Sequence, residues 1–312
     1  MEPYPLTFEP ILKEKVWGGR TLERFGKKLP DSISIGESWE LADLPASIQD
    51  GRSMISNGPL AGNTLKGNFP LLIKFLDACD NLSVQVHPSV AYAKSHQEAH
   101  LKSEAWIILD TTPEGRIYVG LREGTTEETL RTSIANDTVP ELLNAIDVKI
   151  GECYYLPSGT CHALGAGVLV AEVQTPSDTT FRVWDWGRTG REMHVNQAME
   201  CIDFDAPSLT FTQPQPLQSG DFLTTHFVDT PFFSIERVEA RVDTELELVV
   251  DETPVVLMVV EGHAKITHAV PLDAPVGTTI LLPTGVTNAT MSMPKGTAVL
   301  RFDVPDKLRL AY

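Results

Sequence analysis

Residues 69–89, FPLLIKFLDACDNLSVQVHPS, contain two apolar runs at 69–76 and 82–86, each bounded by turn-forming residues. The second run ends on His87-Pro88. On a β-strand, side chains two apart share a face. A strand over 82–87 therefore carries Ser83, Gln85 and His87 on one face, with Leu82, Val84 and Val86 on the other. A core strand with one polar face calls for solvent, a metal or a substrate against it. Lys74, inside LLIKFL, raises the same question. It is either an edge residue whose ammonium reaches water or a functional cation.

Upstream, WGG at 17–19 marks a tight backbone passage. GESWELAD at 36–43 alternates as a strand with Trp39 and Leu41 on one face, and 51–68 reads as a turn-rich loop. Downstream, Ser89 caps a helix over 89–101, and KSEAWIILD (102–110) and RIYVGL (116–121) read as strands. The stretch 125–146 reads as two helices, with Thr125 or Thr126 capping the first and Pro140 early in the second. From 148 the chain returns to strands through VKIGECYYLPSGTCHALGAGVLVAEVQ, then PSDTTFRVWDWGR (176–188) and a short helix within 191–204. DAPSLTFTQPQPLQSG at 205–220 is rich in Pro, Gln and Ser and reads as a linker. Closely spaced short strands beyond it suggest a sandwich or barrel. The second half also echoes the first. YLPSGTCHAL (155–164) resembles LLPTGVTNAT (281–290), with Asn288 standing where the first copy has His162. Both a duplicated barrel that lost its chemistry and a chance likeness of short Pro-Gly turns produce such an echo.

The chain has 312 residues, 42% hydrophobic and 21% charged, which is the composition of a globular protein with a sizeable core. No apolar run approaches the roughly 20 residues a membrane helix needs. The acidic N-terminus with its early prolines does not read as a signal peptide. Cys79, Cys153, Cys161 and Cys201 lack CxxC spacing, so reduced thiols in the cytoplasm are expected. A net charge of −17 argues against nucleic acid and anionic membranes, while leaving room for a small anion held by a few focused cations.

Imidazole, carboxylate and amide oxygen converging on one point suit a borderline divalent ion, zinc first. Gln85 with His87, Glu104 and His162 are the candidates, each at a strand end or turn beside an apolar run. His96, His100, His194, His226, His263 and His268 lack that placement. A second group is charged: Lys74, Lys102, Glu172, Asp178, Arg182 and Arg188. Arg182, among apolar and aromatic residues in TTFRVWDW, either pairs with Asp178 or Asp185 or serves a site, because an unpaired buried charge is costly. Cys161, beside His162 but without an acid or oxyanion-type partner, reads as structural.

FPLLIKFLDACDNLSVQVHPS, KSEAWIILD and YYLPSGTCHALGAGVLVAEVQTPSDTTFRVWDW, with the opening WGG and GESWELAD, resemble type I mannose-6-phosphate isomerases in their short bacterial form. The resemblance spans roughly residues 8–204. It implies a mainly β fold: a cupin-type double-stranded β-helix (jelly-roll) over 1–205 with a helical insertion around 89–146. A linker at 206–220 would lead to a smaller cupin-like β domain over 221–312. It also implies a zinc enzyme, one ion per chain, interconverting mannose 6-phosphate and fructose 6-phosphate through a cis-enediol. By the same resemblance Gln85, His87, Glu104 and His162 hold the metal, and Arg182 and Lys102 are catalytic. Ser83, Lys74, Glu172 and Asp178 line the substrate pocket. Leu101 and Ser103 replace the His and Pro that flank the lysine in longer members, and Leu164 replaces an aromatic, which leaves the proton-shuttling base unassigned. The expected partner is a phosphosugar, and the expected state a cytoplasmic monomer or homodimer. The competing readings are a non-catalytic sugar- or metal-binding regulatory cupin, and a metal-cupin oxygenase, whose histidine-rich iron sets this Gln/His/Glu/His set fits poorly.

Overall fold

The computed structural model describes residues 2–305 except 46, 47, 49, 68, 207 and 208. Positions 207 and 208 of the expected linker and 306–312 of the expected C-terminal unit thus lie outside the described residues. The strands of the first half are β1 (Ile11–Gly19), β2 (Ile35–Leu41), β3 (Leu72–Ala78), β4 (Val84–Val86), β5 (Glu104–Thr111), β6 (Arg116–Leu121), β7 (Leu143–Asp147), β8 (Cys153–Leu156), β9 (His162–Leu164), β10 (Val168–Gln174) and β11 (Phe181–Trp184). Helices α1 (Val90–Ser95), α2 (Glu127–Ala135) and α3 (Val195–Cys201) are short. The second half holds β12 (Leu217–Ser219), β13 (Phe222–Asp229), β14 (Ser234–Ala240), β15 (Thr244–Leu248), β16 (Val255–Glu261), β17 (His263–Thr267), β18 (Leu272–Pro275), β19 (Thr279–Leu282), β20 (Ala289–Met293) and β21 (Ala298–Asp303).

The first half forms two antiparallel sheets, in the orders β1-β2-β3-β10-β5-β8 and β11-β4-β9-β6-β7. The second half forms β12-β13-β14-β21-β16-β19 and β15-β20-β17-β18. Adding eleven to each label of the first pair reproduces the second pair in order, except that β11 has no counterpart among the described residues. The fold is therefore mainly β, a cupin-type two-sheet barrel present twice. The sequence echo falls on equivalent places, since YLPSGTCHAL runs from β8 into β9 and LLPTGVTNAT from β19 into β20.

Strand alternation explains how the barrels are joined. On β3, Ile73 and Phe75 point away from the barrel interior into a large apolar cluster with Phe233, Ile235, Met258 and Phe302 of the second half. Each such buried side chain contributes about 1.5–3 kcal/mol. Leu72, Lys74 and Leu76 face the other way. Leu6 exchanges both backbone hydrogen bonds with Leu281, at 2.8 and 2.9 Å. The buried Lys27 ammonium donates to Glu40 Oε2 at 2.6 Å and to the Gly277 carbonyl at 2.8 Å. Gly277 is at φ +85, and a Cβ there would lie 2.0 Å from the Phe25 carbonyl oxygen, so only glycine permits this approach.

Several local expectations change. β4 begins at Val84, and Leu82 donates its N–H to the Leu164 carbonyl outside the ladder. Val84 and Val86 pack into one cluster, whereas Leu82 joins Trp17, Trp106 and Leu76 on the opposite side. A bulge between Trp39 and Leu41 in the β2–β3 register puts Trp39 beside Leu72 and Leu41 beside Ile73 and Phe75, so the two do not share a face. The second expected helix is a single 3₁₀ turn, Val139–Leu142, followed by β7, because 143–147 pairs with β6. The helix expected over 89–101 stops at Ser95, where the His96 ring stacks on Tyr92 at 3.9 Å and its Nδ1 lies 3.1 Å from the Tyr92 carbonyl. Leu217–Ser219, within the span read as linker, is strand β12. No helix of the described residues is long and apolar enough to cross a membrane.

Candidate metal centre and active-site pocket

β4 and β9 are neighbours, with Gln85 opposite His162, and Glu104 opens β5 opposite Leu156 at the foot of β8. This pairing brings three buried donors together: His87, Glu104 and His162 offer ligand atoms all within 4.8 Å of one another. His87 Nδ1 lies 3.1 Å from the Thr179 carbonyl and His162 Nδ1 lies 2.9 Å from that of Thr160. A carbonyl only accepts, so each ring carries its proton on Nδ1 and turns an Nε2 lone pair inward. Those lone pairs face Glu104, with His87 Nε2 3.2 Å from Oε2 and His162 Nε2 3.1 Å from Oε1.

Acceptor thus faces acceptor across both contacts. Burial and the Lys102 ammonium hold His87 at about 3, so it does not supply a proton to relieve the clash. Burial would raise Glu104, but Lys102, His87 and His162 hold it well below the carboxylate range. Glu104 Oε1 is buried without a hydrogen-bond partner, and Oε2 has the Lys102 ammonium at 2.9 Å. Two inward imidazole nitrogens and a buried carboxylate facing them are a donor set that a divalent cation satisfies. The Gln85 amide is also there, its Nε2 3.3 Å from His162 Nε2. Turning the amide over presents its oxygen to the same point.

Beside this cluster opens a cavity of about 270 Å³, whose wall includes Gln85, Ser83, Lys74, Lys102, Glu172, Asp178 and Arg182. The structure therefore gathers every residue singled out in the sequence as a metal, catalytic or pocket candidate except Arg188, whose guanidinium is held by Asp185, Asp80 and the Asn81 carbonyl. Lys15, Trp17, Glu37, Trp106, Thr180 and Arg191 also line it and were missed. Lys15 and Trp17, like Glu37 and Trp39, are two apart on a strand, so a period-two reading of KVW and ESW was an available signal.

Lys74 is not an edge residue reaching water, since β3 is an interior strand and the side chain is buried. It lies in a row that crosses the sheet, with Trp39 opposite it on β2, Glu172 on β10, and Trp106 opposite Glu172 on β5. Lys74 Nζ is 2.9 Å from Glu172 Oε1 and 3.8 Å from Glu37 Oε2. Indoles hold the other side of each carboxylate: Trp106 Nε1 donates to Glu172 and Trp39 Nε1 to Glu37, both at 2.7 Å. Burial disfavours the Lys74 ammonium, but Glu172, Glu37 and Glu104 outweigh it and raise the group above its ordinary value. Burial pushes Glu37 up, yet Lys74 and Lys15 prevail and hold it at about 2.

Arg182 on β11 makes no ion pair with Asp178 or Asp185. Asp185 is taken by Arg188 and Arg191, at 2.8 and 3.0 Å. The Arg182 guanidinium donates from Nη1 to the Glu192 carbonyl at 2.5 Å, its Nε is buried without a partner, and it lines the cavity. Burial and Arg191 lower its pKa from the ordinary value. Cys161 is buried with its thiol pushed up to about 12, which suits packing rather than nucleophilic attack.

The second barrel shows what the same framework looks like without this chemistry. Val255 pairs with Leu282 as Glu104 pairs with Leu156, and Gly285 donates to the Val250 carbonyl as Gly159 does to that of His87. Valines thus stand in for Glu104 and His87, and the sequence echo puts Asn288 in place of His162. The Lys74–Glu172 row position is filled by Glu236 and Arg301, with the charges exchanged. The cavity there, about 240 Å³, is lined chiefly by aliphatic side chains such as Val238, Leu246, Leu257 and Val299.

Residues 6–106 match the family model "Phosphomannose isomerase type I, catalytic domain". The chain is 36% identical over 287 residues to mannose-6-phosphate isomerase ManA of Bacillus subtilis (strain 168), covering 85% of this chain and 88% of that one. The crystal structure of the mannose 6-phosphate isomerase from Bacillus subtilis superposes with a TM-score of 0.85 at 31% identity, covering 96% and 99% of the two chains. A mannose 6-phosphate isomerase solved with zinc and yttrium shares the fold at a TM-score of 0.70 and 16% identity, over 96% of this chain and 99% of its own.

Proposed function

The chain belongs to the type I phosphomannose isomerase family, and we propose that it is a cytoplasmic zinc-dependent enzyme interconverting mannose 6-phosphate and fructose 6-phosphate. The observation that carries the reading is the buried Glu104 carboxylate facing two inward imidazole lone pairs, beside a cavity lined by cations. His87, Glu104 and His162, joined by the Gln85 oxygen, would hold one zinc ion per chain. When bound, the ion supplies Lewis-acid polarisation of the sugar oxygens.

The chain's own residues divide the remaining work. Aldose–ketose exchange moves a proton between C1 and C2 through a cis-enediol and builds negative charge on oxygen. Lys74, held charged by Glu37 and Glu172, orients the sugar by donating hydrogen bonds and does not take protons. Lys102, 3.1 Å from His87 Nε2 and 2.9 Å from Glu104, is the cation nearest the donor cluster and is assigned proton transfer. Arg182, with Nε unpartnered, stabilises the developing oxyanion. The 192–194 segment positions it: Glu192 accepts from its guanidinium, and His194 exchanges hydrogen bonds with its backbone at 2.9 and 3.2 Å. Ser83 and Asp178 complete the sugar-binding wall, and Trp17 and Trp106 exclude water from it. On this reading 1–205 is the catalytic unit, as a monomer or homodimer, and 221–312 braces it through the shared apolar cluster.

The test is a coupled assay, mannose 6-phosphate in and fructose 6-phosphate out, with metal measured on the same sample. Turnover should track zinc content and vanish on chelation. Full turnover in verified metal-free protein refutes the zinc assignment, and no turnover in fully loaded protein refutes the isomerase.

A further inference from the structure

We infer that Lys15 is the cation that receives the phosphate end of the substrate, a role that rests on the isomerase reading and refines it. The charged side chains along the cavity wall define a direction. Side-chain exposure is 0% at Glu104 and 5% at Lys102, 7% at Lys74 and 10% at Glu37, and 35% at Lys15. The donor cluster is thus the floor, and Lys15 stands at the rim. A hexose 6-phosphate that reacts at C1 and C2 on the floor directs its C6 phosphate toward the rim.

Lys15 is more open to solvent than Arg191, at 35% against 26% side-chain exposure, and far more so than Lys74 or Lys102. Arg191 is held by both oxygens of Asp185, at 3.0 Å each, and Arg182 by the Glu192 carbonyl. Lys15 Nζ lies 2.9 Å from a single carboxylate oxygen, Glu37 Oε1. Glu37 in turn shares its charge with Lys74 and the Trp39 indole, which limits how strongly it neutralises Lys15. An ammonium has three donors, so two remain for a phosphate.

The position is also built. A Cβ on Gly36 would lie 2.7 Å from the Lys15 Cβ and 2.5 Å from the Trp17 ring. Glycine at 36 therefore lets both side chains lie close against β2 and fixes where the Lys15 stem leaves β1.

The experiment compares Lys15→Met and Lys15→Arg with the unaltered zinc-loaded enzyme, using mannose 6-phosphate, unphosphorylated mannose as a poor substrate, and inorganic phosphate as competitive inhibitor. Lys15→Met should raise KM for mannose 6-phosphate and Ki for phosphate by the same factor, about 10- to 100-fold, as expected for one charge-assisted contact. Its kcat should change less than about threefold, because the contact is made equally in ground and transition states. Lys15→Arg should restore phosphate inhibition, and turnover of unphosphorylated mannose should be unchanged in both variants. Equal losses on both sugars, a lower kcat at unchanged KM, or an unchanged Ki for phosphate would each overturn the assignment. Should Lys15→Met not fold, Lys15→Arg decides the matter, since loss of phosphate inhibition in that folded, charge-conserving variant also overturns it. Absence of turnover in the unaltered enzyme would sink the isomerase reading instead, and phosphate binding followed by calorimetry would then still report on Lys15.

Discussion

Replacing Lys74 by Met tests the buried charge row directly. At an effective dielectric constant of ~20, the contacts to Glu172 at 2.9 Å and Glu37 at 3.8 Å are worth about 6 and about 4 kcal/mol in gross attraction. Much of that is offset by taking the ammonium out of water. Removing one partner of a buried pair typically costs about 3–5 kcal/mol, because the other charge is stranded. The stranding falls mainly on Glu172, which is left with the Trp106 indole, whereas Glu37 keeps Lys15 and Trp39. Protonation limits the loss. Neutralising a carboxylate of ordinary pKa at pH 7 costs about 3.7 kcal/mol, and at pH 5 only about 1 kcal/mol. The sign follows, because a carboxylate stranded in a buried site has its pKa raised above the unfolded value. The penalty is then full above the raised pKa and fades as pH falls toward the unfolded one. Urea unfolding should show Lys74→Met destabilised by about 3–4 kcal/mol at pH 7 and by about 1 kcal/mol at pH 5. Adding Glu172→Gln should recover more than half of the loss at pH 7. A penalty independent of pH, or no recovery in the double variant, would mean that Lys74 acts through packing alone.

Other outcomes follow from the same geometry. Arg182→Ala should lower turnover by about 10²–10³-fold with zinc content and the melting curve unchanged, as loss of an oxyanion donor does; loss of metal or of folding would make it structural. Glu104→Gln removes the anionic member of the donor set, so metal content after dialysis should fall to near zero, and retention of one ion per chain would refute its assignment. In metal-free protein, His87 is held at about 3 against an ordinary 6.5, so the unfolded state binds the extra proton across that window. Stability should therefore decline as pH drops from about 6.5, and His87→Gln should flatten that slope. Native labelling with iodoacetamide should modify the exposed Cys79 and spare the buried Cys161, and Cys161→Ala should keep its turnover.

Period-two alternation found the strands, and the Gln85–His87 pair and Lys74 stood out because polar groups interrupt apolar runs only for a reason. The echo between 155–164 and 281–290 pointed to the second barrel, which the repeated strand order bears out. Local pattern failed wherever pairing outweighed it. Residues 143–147 became a strand because β6 lies beside them, a bulge parted Trp39 from Leu41, and Leu82 left the face of Val84. Spacing left Arg182 balanced between an ion pair and a site, and the tertiary structure removes the ion pair by giving Asp185 to Arg188 and Arg191. The same holds for the metal cluster. Alternation places a side chain on a face, but which faces meet depends on β4, β5 and β9 coming together from across the chain. Lys15 and Glu37 stayed hidden for that reason, since a charged residue on a strand is unremarkable until the strands around it close over the space it points into.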